Sequence, residues 1–188
     1  MSNPILFVVD HDPEALASLA GVLERRFGAD DRILTERSPL TALGRLEQAR
    51  ARGDEVALAI ADQWTPELTG IECLARVRGL YPRASRCLLV TWGDAAAYPL
   101  VRRALTLGQV DTYVLKPWGR PDERLYPLVT ELLGGWTRIT QPRAPIMRII
   151  GEQWGVRCHE MRDLSRRWTS RTWRRPRRRR CAPPRSSC

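Results

Sequence analysis

An α/β fold, with a parallel sheet covered on both faces, is what this sequence predicts. Three observations predict it. Short apolar runs alternate with amphipathic stretches five times between residues 5 and 133. The run Val56–Ala61 is apolar throughout, as in a strand buried on both faces. Polar residues fall directly after the apolar runs, at the edge where such sheets hold their ligands.

The elements follow in order. Ile5–Val9 is the first strand. Pro13 opens a helix in which Leu16, Leu19, Leu23 and Phe27 recur every three or four residues, and Gly28 closes it. Arg32–Glu36 is a second short strand. Ser38 suits a helix N-cap, with Leu40, Leu43 and Leu46 following at helical spacing. Val56–Ala61 is the third strand. A turn-rich loop, DQWTPELTG, leads into a helix bearing Cys73, Leu74 and Val77. Cys87–Val90 is the fourth strand. Ala95–Leu107 reads as a helix, with Pro99 expected to end or kink its first turn. Thr112–Leu115 is the fifth strand, and a last helix runs from about Pro121 to Leu133.

Composition narrows the class. The chain of 188 residues is long enough for one ordinary domain and a little more. It has no apolar run long enough to span a membrane, and its start lacks the basic and apolar regions of a signal peptide. A cytoplasmic protein without membrane partners is therefore expected. The five cysteines form no C-x-x-C pair, so they indicate neither a disulfide framework nor a zinc site. The net charge of +10 belongs wholly to residues 146–188, which hold 13 of the 31 basic and 3 of the 21 acidic residues. The preceding 145 residues are electrically balanced.

The strand ends carry the chemistry. Asp10, His11 and Asp12 follow the first strand, and Asp62 follows the third. Thr91 ends the fourth, and Lys116, the single lysine of the chain, ends the fifth. Each residue alone has an ordinary reading: Asp12 before Pro13 is a good helix cap, and Lys-Pro is a common loop start. Together at one edge they suit a phosphoryl group and a metal ion. Carboxylates hold Mg2+, while lysine and threonine satisfy the remaining phosphoryl oxygens. Asp62 has the character of a nucleophile that accepts the phosphoryl group.

These motifs resemble those of response-regulator receiver domains of two-component signalling, over about residues 3–134. VVDHDP is similar to the acidic-pair motif, and DQWTPELTG to the phosphoacceptor motif, with Asp62, Pro66 and Gly70 in its marked places. LLVTW puts the switch threonine at Thr91, and YVLKPW puts the switch aromatic at Tyr113 and the site lysine at Lys116. The resemblance implies a flavodoxin-like fold with strand order 2-1-3-4-5. It implies Mg2+ held by Asp10, Asp12, Asp62 and the backbone carbonyl of Trp64. It further implies transfer of a phosphoryl group to Asp62 from a histidine kinase or phosphotransfer protein. Thr91 and Tyr113 would then reshape a protein-contact face. That is a signalling module rather than an enzyme.

A narrower resemblance concerns the C-terminal part. KPWGRPDERLYPLVTELL is similar to the end of receivers fused ahead of thioredoxin-reductase-like flavoproteins. IMRIIGEQWGVRCHEMRDLSRRW, residues 146–168, looks like the first thioredoxin-like βα unit of such a fusion, although no G-x-G-x-x-G for FAD follows. The expected organisation is a receiver over residues 1–134, a linker over 135–145, a partial thioredoxin-like segment over 146–168 and a disordered Arg-rich tail over 169–188, in a truncated member of that group.

Two departures bear on function. The family usually carries an acid where this chain has His11. Imidazole suits zinc, copper or nickel better than magnesium, so Mg2+ is expected to bind more weakly unless Asp12 turns inward. Trp92 follows the switch threonine, where a small residue is usual, and would either lid the acceptor or face outward as a partner-binding aromatic. The alternative function is a phosphorylation-independent pseudo-receiver. A third is polyanion or nucleic-acid binding through the tail, which has ten arginines and no acid from Ser165 onward. A lysine-free Arg, Pro, Ser, Trp and Cys composition is also what a shifted GC-rich reading frame yields, and that reading is preferred for the tail.

Overall fold

In the computed structural model, which describes residues 3–117, 120–121 and 123–140, β-strands and α-helices alternate without exception. They are β1 Ile5–Val9, α1 Pro13–Phe27, β2 Arg32–Glu36, α2 Pro39–Ala51, β3 Val56–Asp62, α3 Gly70–Leu80, β4 Ser85–Thr91, α4 Ala97–Thr106, β5 Thr112–Lys116 and α5 Leu125–Thr140. The strands form one parallel sheet in the order β2-β1-β3-β4-β5. This is the flavodoxin-like arrangement expected from the sequence.

The two-residue period of the strands divides the core into two layers. Ile5, Phe7 and Val9 of β1 join Ala59 and Ala61 of β3 and Leu88 and Val90 of β4, packed with residues of α2, α3 and α4. Leu6 and Val8 join Leu58, Ile60, Cys87 and Leu89 on the other face, against residues of α1 and α5. All of β1 and β3 is buried, whereas the edge strand β2 is only half-buried. Burial on both faces explains why Val56–Ala61 shows no polar alternation.

Helix starts are fixed by local chemistry. The Asp12 side chain accepts the Glu14 amide at 2.9 Å, and Pro13 occupies the first helical position, where its missing N–H costs nothing. Ser38 caps α2, and Thr69 with Glu72 forms a reciprocal capping box on α3. α4 begins at Ala97, two residues later than expected, and Pro99 neither ends nor breaks it. Pro99 lies in the first turn, where amides have no acceptor within the helix.

The last helix differs most from expectation. It starts at Leu125 rather than near Pro121, and it continues through residues 135–140, where the sequence suggested a linker. Buried Val129 and Trp136, with Leu132 and Leu133 against the same core layer, keep one helical face occupied past the Gly134–Gly135 pair. Residues 141–145 of the expected linker, the segment 146–168 and the tail 169–188 lie outside the described residues.

Candidate functional site

Parallel strands deliver their C-terminal residues to one edge. Asp10 directly follows β1, Asp62 ends β3, Thr91 ends β4 and Lys116 ends β5. Register sets two levels: Val9 lies opposite Ala61, so Asp10 and Asp62 stand side by side, and Asp62 lies opposite Leu89, two residues before the Thr91–Lys116 pair.

Three of the expected residues meet directly. The Lys116 ammonium lies 3.0 Å from Asp10 Oδ2 and 2.5 Å from Asp62 Oδ1. The side chains of Asp10 and Asp62 are 1% and 6% exposed, so this cation is shared by two carboxylates removed from water. The remaining oxygens take backbone donors. Asp10 Oδ1 accepts the Asp12 amide at 3.1 Å, and Asp62 Oδ2 accepts the Trp64 amide at 3.2 Å.

Burial and charge set the titration of this group. Burial is the largest influence on Asp62 and raises its pKa above the ordinary carboxylate value. The Lys116 hydrogen bond and charge pull it down without cancelling the rise, and the negative charge of Asp10 adds to it. Burial disfavours the Lys116 ammonium, but its hydrogen bonds and attraction to Asp62 and Asp10 outweigh that, so its pKa is raised.

His11 enters this group and Asp12 does not. His11 Nδ1 stands 3.8 Å from Asp10 Oδ1 and 3.8 Å from Asp62 Oδ2. Among the described residues, Asp10, His11 and Asp62 form the one cluster of three whose donor atoms converge closely enough for a metal ion. Asp12, expected as a metal ligand, is exposed and spends its carboxylate on the α1 cap. Of the two alternatives, weaker Mg2+ binding or an inward turn of Asp12, this conformation shows Asp12 on the helix cap.

The other expected residues are positioned but not joined to the group. Thr91 is exposed at the end of β4. Tyr113 is exposed on β5, an edge strand. Trp92 is 68% exposed while its amide donates to the Lys116 carbonyl at 2.8 Å, so it faces outward rather than covering the acceptor. The Trp64 amide binds the Asp62 carboxylate, but Trp64 also sends its indole N–H to the carboxylate of Asp94.

Two structural roles were not read from the sequence. Asp94 accepts the Ala96 and Ala97 amides at 3.1 and 3.2 Å, so it caps α4 while holding Trp64. The Trp64 hydrogen bond, aided by those amides against the effect of burial, keeps the Asp94 carboxyl below its usual range. A G-D-A-A run before a helix is the signal that could have located this cap. Gly70 is required for a second reason than its loop motif. A Cβ there would lie 2.3 Å from the Asp62 carbonyl oxygen and 2.8 Å from Leu88 Cδ1. Only hydrogen fits, which lets α3 start directly against the backbone of the acceptor.

No family model and no curated protein matches the sequence. Solved structures do. An uncharacterized protein from Neptuniibacter caesariensis is 27% identical, with 80% of this chain and 98% of that chain covered and a TM-score of 0.63. The signal receiver domain of an HD domain-containing protein from Pseudomonas fluorescens Pf-5 is 24% identical, covering 76% and 96%, with a TM-score of 0.61. A CheY-like response regulator receiver domain protein from Methanospirillum hungatei JF-1 is 19% identical, covering 71% and 97%, with a TM-score of 0.56. The strand order, the buried carboxylates tied to one lysine and these likenesses agree: the chain carries the fold of a response-regulator receiver domain.

Proposed function

We propose that this chain is a phosphoacceptor receiver, in which Asp62 takes a phosphoryl group from the phosphohistidine of a kinase or phosphotransfer protein. The observation that carries the reading is the Asp10–Lys116–Asp62 group at the carboxyl edge of the sheet. An Asp62 oxygen attacks phosphorus, the bond from phosphorus to the donor nitrogen breaks, and the imidazole of the donor keeps the electron pair. Lys116 is close enough to leave its carboxylate partners for the new phosphoryl oxygens, and the exposed Thr91 hydroxyl stands one strand away.

Mg2+ fits the residues present through two carboxylates. Asp10 Oδ1 and Asp62 Oδ2 are the oxygens not used by Lys116, and magnesium commonly binds through one or two carboxylates with phosphate and water completing its shell. Asp12 and the Trp64 carbonyl are the further candidate donors. When bound, the ion offsets negative charge on the phosphoryl oxygens.

Incubation with acetyl phosphate, with and without Mg2+, tests this reading by intact mass. A Mg2+-dependent gain of one phosphoryl mass is expected, lost in Asp62→Asn. No gain by the folded protein would leave the pseudo-receiver, a protein-contact module independent of phosphorylation. His11 beside both carboxylates favours that second reading, and His11→Asp decides it by restoring or not restoring the gain.

A further inference from the structure

We propose that Asp10, His11 and Asp62 form a site for a borderline first-row divalent cation, of which Zn2+ is the type, bound in preference to Mg2+. The inference shares its carboxylates with the phosphoacceptor reading but not its chemistry, and it stands whether or not a phosphoryl group is transferred.

The argument begins with how the oxygens are divided. Lys116 takes Asp10 Oδ2 and Asp62 Oδ1. The other oxygen of each carboxylate, Asp10 Oδ1 and Asp62 Oδ2, is the one nearest His11 Nδ1, and both distances are 3.8 Å. Two oxygens and one nitrogen therefore converge on the side of the carboxylates away from the lysine. Donors bound to zinc at about 2.0–2.2 Å lie roughly 3.3–3.5 Å apart in a tetrahedron, so each His11–carboxylate distance of 3.8 Å needs a closure of only a few tenths of an ångström, and all three donor atoms lie within 4.8 Å of one another. His11 is half-exposed and free to make that adjustment, whereas the two carboxylates are fixed by Lys116 and by the Asp12 and Trp64 amides.

Charge and donor type point the same way. Two carboxylates and one ammonium leave the group with one net negative charge, which favours a cation. Imidazole nitrogen is a good ligand for zinc, cobalt, nickel and copper and a poor one for magnesium. Asp12, the oxygen donor that would restore magnesium preference, is engaged in capping α1. Three protein ligands also leave an open position, as zinc sites that bind an exogenous ligand do.

The test uses the full chain and the metals alone, without phosphodonor. His11 and His159 are its two histidines, and Cys158, Cys181 and Cys188 are further donors outside the described residues. The background variant therefore carries His159→Gln and Cys→Ser at 158, 181 and 188, so any imidazole signal belongs to His11. Calorimetry is expected to show one Zn2+ per chain bound at least tenfold more tightly than Mg2+. Co2+ should broaden and shift the His11 ring resonances and give d–d absorption without a thiolate charge-transfer band. His11→Ala should weaken Zn2+ by roughly tenfold or more, since even second-shell changes cost about 10–100-fold, and leave Mg2+ nearly unchanged. His11→Asp should narrow the preference, raising Mg2+ affinity relative to that for Zn2+. Zn2+ affinity unaltered in a folded His11→Ala or His11→Gln chain, or no Zn2+ binding by the folded background variant, would overturn the proposal. Either result leaves the acetyl phosphate experiment to be judged separately.

Discussion

Replacing Lys116 with methionine removes the one cation held by two buried carboxylates. The stem keeps its apolar packing, so the change isolates the charge. Breaking a buried ion pair by removing one partner costs about 3–5 kcal/mol, because the other charge is left unpaired. Lys116 is 18% exposed, so water softens the loss toward the lower end, about 3 kcal/mol. For a domain of this size, at about 4 °C per kcal/mol, Tm should fall by roughly 12 °C at neutral pH. The pH dependence gives an independent sign. Lys116, with its raised pKa, contributes stability below its unfolded value that is lost only as pH rises through the folded one. Asp62, also raised, weighs against folding while ionised, and that penalty disappears as pH falls below the ordinary carboxylate value. The gap between wild type and Lys116→Met should therefore narrow as pH falls from 7 to 4. Thermal melts by circular dichroism across that range measure it. A fall of less than about 2 °C at neutral pH, or a gap that widens on acidification, would refute the reasoning.

Other perturbations follow from the same geometry. Asp62→Asn removes a carboxylate whose ionisation disfavours the fold, so its Tm should rise at neutral pH; a lower Tm in the same buffer would contradict this. Gly70→Ala forces a Cβ against the Asp62 carbonyl and should destabilise by about 1–3 kcal/mol, seen as a lower urea midpoint with unchanged slope. Burial, with the charge of Asp30, pushes Asp31 up to about 6. Asp31 should therefore lower stability as pH rises from 4 to 6, and the Asp31→Asn protein should lose less stability over that range than wild type.

Much of the site was legible because a parallel sheet turns sequence position into spatial position. A residue directly after a buried apolar run lies at the carboxyl edge, so Asp10, Asp62 and Lys116 could be placed together before any side chain was seen. Rotamer choice was not legible in the same way. Asp12 has one carboxylate and two uses open to it, a metal and the helix cap, and here it accepts the Glu14 amide two residues away. Trp92 likewise had two directions open to it. The Trp64–Asp94 link joins residues thirty apart in two loops, and no periodicity records such a contact. The end of α5 was misread for the opposite reason. Gly134 and Gly135 argue locally for a stop, but the helix runs on to Thr140 with Trp136 buried beyond them, so tertiary context overrides propensity.

The placement of the site within the sheet has a consequence for how it survives fluctuation. β1 and β3 lie inside the sheet, flanked on both sides and buried along their whole length, whereas β5 is an edge. Amide protons at the centre of such a sheet should be the last to exchange with solvent, and those of β5 among the sheet's first. Asp10 and Asp62 thus hang from the slowest-opening part of the molecule, and Lys116 rides on a strand that opens sooner. Local fraying of that edge would withdraw the lysine and leave both carboxylates in place. The protein would then visit, briefly and without unfolding, a state with two bare acids at an intact sheet edge.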